Sequence, residues 1–267
     1  VLTFIAKLVK RFKEHDLYAL ACQLAYSLIL SIFPFLIFLL TIVGYSSLDA
    51  ETIMSTLQPL MPHSAFELLS QTVSEVLTMG RIDVLSFGIL GTLWASSSGF
   101  RAIIKGLNKA YETKDKRPYW KTIILSLISV FVLIIIVIFA FSTVVFGEKI
   151  GLAIIKYLNL SMDFILNWNI IRYFMALIFM IVIFSILYYV IPCKNMKWLE
   201  VLPGALFSSL GWIITSAIFA YYVNNINNYS KIYGGLGAVI VLLLWLFLTS
   251  IIILLGGEIN AILSEGK

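Results

Sequence analysis

The chain has 267 residues, 61% of them apolar and 12% charged, with a net charge of +5 and a mean hydropathy of +0.99. A soluble domain is nearer half apolar and a quarter charged, and a surface this poor in charge does not stay dissolved in water. Two cysteines far apart in apolar runs, Cys22 and Cys193, exclude a disulfide scaffold, and the wealth of Ile, Leu and Phe excludes a disordered chain. An integral membrane protein remains.

In chain order, Phe4 to Lys13 places apolar and basic residues on different helix faces and is too short and too basic to span, which predicts a helix lying at the membrane surface. No small-residue cleavage site follows before the first span, so no cleaved signal peptide is expected. Six stretches then reach the roughly 20 apolar residues that a helix needs to cross about 30 Å of hydrocarbon: Ala19 to Gly44, Val84 to Ile104, Lys121 to Phe146, Ile170 to Ile191, Val201 to Val223 and Leu236 to Leu263. Continuous runs of this length argue against barrel strands, which alternate over about ten residues. The fold class read from the sequence is therefore all-α, a single polytopic domain of six transmembrane helices over residues 1–267. The one long connection, residues 45–83, holds Pro59 and Pro62 and two weakly amphipathic pieces, Asp49 to Leu60 and Ser64 to Met79, read as surface helices. Trp94, Trp120, Trp168 and Trp198 fall near span ends and read as interface anchors.

Lys and Arg favour the cytoplasmic side. Fourteen of the 19 basic residues fall at the termini and in the even-numbered connections, seven of them between Arg101 and Lys121. Arg81, Lys149, Lys156, Arg172 and Lys231 make up the other side, so both termini are expected in the cytoplasm. The one-sided charge suits anionic headgroups of the inner leaflet. Nucleic acid is disfavoured as a partner, because the aromatic residues lie inside spans and not among the lysines.

Polar residues within spans are costly and usually turn toward the bundle interior. On the first helix Asp16, Gln23, Ser27, Ser31 and Pro34 share about 80° of helical arc. Ser97, Arg101, Lys105 and Asn108 share a face of the second, and Gly256-Gly257-Glu258-Ile259-Asn260 ends the sixth. Two readings follow. In one, Arg101 and Lys105 snorkel to headgroups, Asp16 caps a helix and Glu258 pairs with a basic neighbour. In the other, these residues converge in a cavity open to the cytoplasm. Arg101, Lys105, Gln23, Ser27, Ser97 and Asn108 then bind an anionic group there, and Asp16 and Glu258 couple the movement to protons. Arg101 leads this set because a guanidinium grips phosphate or carboxylate with two parallel bonds. Pro34 removes a backbone hydrogen bond and reads as a kink or a hinge. Ala95-x-x-x-Gly99, Gly204-x-x-x-Ser208 and Gly234-x-x-x-Ala238 are small-residue spacings for close helix approach, which also allow a homo-oligomer. The polar turn Asn224 to Gly235 reads as a solvated loop or an exit gate.

Catalytic chemistry is hard to find. Only His15 and His63 exist, the predicted topology puts them on opposite sides, and no phosphate loop, nucleophile elbow or zinc-protease motif occurs. No metal, cofactor or enzyme activity is expected, and Cys22 and Cys193 read as buried packing residues.

Several strings are similar to the YihY/BrkB family of inner-membrane proteins. Asp16, Ala21-Cys22-Gln23-Leu24-Ala25-Tyr26-Ser27-Leu28 and Ser31-Ile32-Phe33-Pro34 resemble its first helix. Leu202-Pro203-Gly204-Ala205-Leu206-Phe207 resembles its fifth, and Tyr233 to Leu246 with Gly256 to Ala261 its last. The resemblance implies six helices in the bacterial cytoplasmic membrane. It also brings associations with virulence, serum resistance and envelope lipid movement, and a ribonuclease label that the residue chemistry does not support. The expected function is a transporter or flippase-like protein moving an anionic amphiphile such as a phospholipid. A scaffold binding a partner through the basic loop from Lys105 to Lys121 is the alternative, and a membrane-bound hydrolase comes third.

Overall fold

The structure, a computed structural model, describes residues 2–44, 82–136, 163–225 and 236–265. Among these every regular element is a helix: α1 (Leu2–Glu14), α2 (Leu17–Gly44), α3 (Ile82–Ala110), α4 (described over Tyr119–Ile136), α5 (Asp163–Val190), α6 (Trp198–Asn225) and α7 (Leu236–Glu265). Tyr119–Ile136, Trp198–Tyr222 and Val239–Glu265 are long and apolar enough to cross a membrane, and Leu17–Ser31 and Phe174–Val190 are shorter apolar helical pieces. The surface helices expected within residues 45–83 and most of the Asn224 to Gly235 turn lie outside the described residues.

The helices overrun the apolar runs that announce them. α3 begins two residues before Val84 and continues six past Ile104, because Leu107 and Ala110 still bury a side on the polar-looking stretch. A helix of 28 residues is about 42 Å long at 1.5 Å per residue, more than the hydrocarbon alone requires. α1 confirms the amphipathic element at the start, and α2 remains helical through Pro34, whose ring nitrogen has no proton to give the Leu30 carbonyl.

α7 is the hub. It packs against α2 and α6 and touches α1 and α3; α2 packs on α3, and α5 on α6. α4 lies on α3 through Val130 and Ile134 against Leu93 and Phe100. Leu24, Ile104, Leu107, Tyr188, Val201 and Ile253 belong to one core, so five helices close the bundle at the end where α1 crosses it. Farther out, Ile128, Ile135, Ile178, Ile214 and Ile218 are exposed, the apolar outer surface of a lipid-embedded bundle.

Glycines set the closest crossings. A Cβ on Gly204 would run into the Gly256 carbonyl and the Asn260 amide, and one on Gly256 into Ser208 and Tyr188. The Gly204-x-x-x-Ser208 spacing thus meets Gly256-x-x-x-Asn260 across the α6–α7 contact. Gly99 brings α3 against Leu28 and Ser31 of α2, and its amide donates to Ser31 Oγ at 3.0 Å.

Candidate functional site

α1 and α2 meet at a two-residue corner, and the corner aims the basic face of α1 at α7. Asp16 adopts φ 51°, the left-handed conformation that ends helices and that Asp tolerates better than most residues. Lys7 and Arg11 of α1 and His15 of the corner recur every fourth residue and so share one face. On α7, Glu258 and Glu265 are seven residues apart, two turns along one face. The two helices therefore zip through ion pairs. Lys7 Nζ donates to Glu265 at 2.6 Å, Arg11 bonds Glu265 and, at 3.3 Å, Glu258, and His15 Nδ1 lies 2.5 Å from Glu258 Oε1.

Glu258 is wholly inaccessible and Arg11 nearly so. Arg11 also forms an ion pair with Glu112 at 2.7 Å and reaches the Ala110 carbonyl at 3.5 Å. Only a fork of five N–H groups serves so many acceptors at once. Glu112 follows α3 at φ 53° in a Schellman turn, with Thr113 N–H on the Asn108 carbonyl and Glu112 N–H on that of Lys109. A glycine is usual there, and this chain instead uses the position to present a carboxylate to Arg11 and, at 3.6 Å, to His15 Nε2. Tyr111 Oη and Asn260 Nδ2 are buried beside this cluster with no hydrogen-bond partner among the described residues. Burial pushes the Tyr111 phenol above its ordinary value, so it remains an O–H.

The sequence-derived candidates separate into three places. Glu258 pairs with a basic neighbour, supplied by α1. Arg101 donates to Ser97 Oγ and lies 5.1 Å from the centre of the Trp94 ring. Arg101 stands nine residues before Ala110, about 14 Å along the helix from the Glu258 cluster, and Ser31 of α2 packs beside it at Gly99. Lys105 and Gln23 are exposed and Ser27 half-buried. Ser97 is buried and bonds back to the Trp94 carbonyl at 2.7 Å.

Asn108 serves a third place. Its Oδ1 accepts the Cys193 amide proton at 2.8 Å and its Nδ2 donates to Asp115 at 3.2 Å. It thereby ties the α3–α4 turn to the α5–α6 turn. Arg117 completes that tie, bonding Asp115 at 3.0 Å and the Ile191 carbonyl at 3.1 Å, and holds the Asp115 carboxyl at about 2. Asp16 lies 4.0 Å from Lys109, both exposed, as a helix-end residue would. Neither cysteine is buried as expected: Cys22 is exposed and Cys193 partly so, Cys22 falling across α2 from the buried Leu24.

Arg11 and His15 are the partners that sequence reading did not assign. Their signal, a basic i, i+4, i+8 stripe matched by acids seven apart on the last helix, is present in the chain. Among the described residues no three His, Cys, Asp or Glu are grouped to hold a metal ion.

Long apolar helices with an exposed aliphatic exterior and a polar, ion-paired interior define a helical membrane protein. Residues 8–267 match the profile of the Virulence factor BrkB family, and the chain belongs to that family. It is 37% identical over 269 residues to a Bacillus subtilis protein named ribonuclease-like protein YfkH, covering 100% of this chain and 97% of the relative. A UPF0761 membrane protein of Alteromonas mediterranea is 28% identical, covering 96% of this chain and 86% of its own length. One from Histophilus somni is 24% identical over 98% and 90%. No solved structure matches the chain.

Proposed function

We propose that this protein moves an anionic amphiphile, such as a phospholipid, across the bacterial cytoplasmic membrane, and that Arg101 receives the anionic headgroup. The proposal takes six spans with both termini in the cytoplasm. The observation that supports it is the unequal matching of charge at the arginines. Arg11 meets three carboxylates and Arg117 meets Asp115. Arg101, on the face of a long helix, has a serine hydroxyl, an indole ring and no carboxylate among the described residues. A half-buried cation without a counterion favours an anion that comes to it. Lys105, one turn along the same face, extends the attraction toward the end of the bundle. Gln23 and Ser27 of α2 flank the path, and Pro34 is its hinge. Of the two coupling candidates, Asp16 and Glu258, the paired Glu258 suits the role better, since Asp16 is an exposed helix end. No nucleotide-binding motif occurs, so movement is downhill or driven by an ion gradient.

Reconstitution in liposomes carrying a labelled anionic phospholipid tests this. Wild type is expected to equilibrate the lipid between leaflets, with a fall of at least about tenfold in Arg101→Gln, the loss of one charge-assisted hydrogen-bonded contact. Equal rates for the two remove Arg101 from the path. The ribonuclease-like name of the relative YfkH favours a second reading, RNA cleavage, which predicts turnover of RNA by purified protein. The lipid reading predicts none. A scaffold working through the basic loop predicts that neutralising Lys109, Lys114 and Lys116 abolishes function while lipid movement stays unchanged.

A further inference from the structure

The ion-pair joint between α1 and α7 does not balance its own charge. Among the described residues it contains three carboxylates, Glu112, Glu258 and Glu265, and two permanent cations, Lys7 and Arg11. One negative charge is unmatched in a place where Glu258 is fully buried and Arg11 nearly so, and a buried unmatched charge is costly. His15 is the remaining member, and imidazole is the side chain that ordinarily gains or loses its charge between pH 5 and 8.

The two ring nitrogens of His15 face different acids. Nδ1 lies 2.5 Å from Oε1 of buried Glu258, and Nε2 lies 3.6 Å from Oε1 of Glu112, whose side chain is 56% exposed. We propose that His15 and Glu258 form a proton-binding site, filled from solvent by way of Glu112. A proton arriving at Nε2 makes the imidazolium, Nδ1 then donates to Glu258 while Nε2 faces Glu112 at ion-pair distance, and the joint becomes neutral. The same ring can release the Nδ1 proton to Glu258 Oε1 and keep the one on Nε2, so the proton moves inward without the ring turning. Tyr111 Oη, buried and without a hydrogen-bond partner among the described residues, lies within reach of the Glu258 charge.

Other charged groups nearby have contacts of their own. On α1, Lys10 pairs with Glu14 at 3.6 Å. At the corner and the end of α3, Asp16 and Lys109 face each other, both exposed. Lys194, from the turn before α6, lies over the Tyr111 ring and donates to Ser264. None of them cancels the surplus at Glu258. The site binds its proton whether or not the protein moves lipid, so the lipid assay and the measurement below fail independently.

The chain has two histidines, His15 and His63, so His63→Gln leaves one imidazole to observe. Nitrogen-15 spectra of histidine-labelled His63→Gln protein in phospholipid nanodiscs read the charge and tautomer of His15 against pH. The expected result is a single-proton titration between pH 5 and 8. Adding Glu258→Gln should lower the proton affinity about tenfold, one pH unit, and Glu112→Gln about threefold. Should Glu258→Gln not fold, Glu112→Gln decides, since its exposed side chain leaves the core untouched. An imidazole that keeps one charge state from pH 5 to 8, or a midpoint that neither substitution moves, overturns the proposal.

Discussion

Arg11 shows how one side chain fixes the position of a whole element. Its guanidinium is enclosed, and three carboxylates and a carbonyl converge on it. Replacing it by Gln leaves Glu258 buried beside His15 alone, and breaking a buried pair from one side costs about 3–5 kcal/mol. Arg11→Gln is therefore expected to lower the thermal midpoint of the detergent-solubilised protein sharply. Arg11→Lys should restore little of it, because a single ammonium cannot span acceptors on both α7 and the α3 terminus. Pairing Arg11→Met with Glu258→Gln should recover most of the loss, since it removes the orphaned charge along with its partner. If the double variant is no more stable than Arg11→Gln, the cost lies in packing and not in charge. Asp16 gives the opposite expectation. At φ 51°, with an exposed side chain, Asp16→Gly should be neutral or stabilising by up to about 1 kcal/mol. A large loss of lipid movement at unchanged stability would return Asp16 to the coupling role. Glu258 could be read from the sequence as an acid needing a cation, but which cation could not, because the choice depends on how α1 crosses α7 and nothing local to either segment sets that crossing.

Among elements, the α6–α7 crossing is the tightest part of the bundle. Gly204 faces backbone, the Gly256 carbonyl, together with the Asn260 amide that its own N–H bonds at 2.7 Å. A methyl group there cannot be absorbed by a rotamer change, so Gly204→Ala is expected to cost about 3 kcal/mol, the upper end of overpacking effects. Gly211→Ala, which would meet only the Ile252 side chain at 3.4 Å or more, should be mild, and comparing the two thermal midpoints separates crossing from helix propensity. The turn after α3 responds to acid in its own way. Arg117 holds the Asp115 carboxyl at about 2, below its ordinary value near 4. The pair's contribution is therefore complete above that ordinary value and is lost only as the pH falls toward 2. Any change in the bundle between pH 5 and 8 accordingly belongs elsewhere, and Asp115→Asn should leave it in place. Apolar run length revealed the helices, but it ended α3 at Ile104, because Lys105, Asn108 and Lys109 read as the interface. Their opposite side, Leu107 and Ala110, is core, and the helix stops only at the left-handed Glu112.

For the molecule as a whole, a polar zone shared by Arg101, Gln23 and Glu258 resolves into two levels about 14 Å apart along α3. The end of the bundle is closed by the α1–α7 joint, and the charge without a carboxylate lies deeper. That separation could not be read from helical faces, which give direction around an axis but not what a neighbouring helix places at each depth. It also makes orientation decisive, because the Arg101 level lies toward the inner leaflet only if the α1 end is cytoplasmic. Cys193 tests this. It lies in the turn between α5 and α6, tied by its amide to Asn108, at the same end as α1. In a Cys22→Ser background a membrane-impermeant maleimide should label Cys193 in inverted membrane vesicles and not in intact cells. The reaction should be slow at neutral pH, since burial and the hydrogen bond to Asp115 push the thiol up and deplete the thiolate. It should quicken with rising pH and in Asp115→Asn, which marks the labelled thiol as the one in this turn. Labelling from outside intact cells would place the α1 end, with Lys105 and the basic turn beyond it, at the outer face. A headgroup would then enter from the opposite leaflet, and the inward-open reading of the Arg101 path would be lost even though the bundle itself stood unchanged.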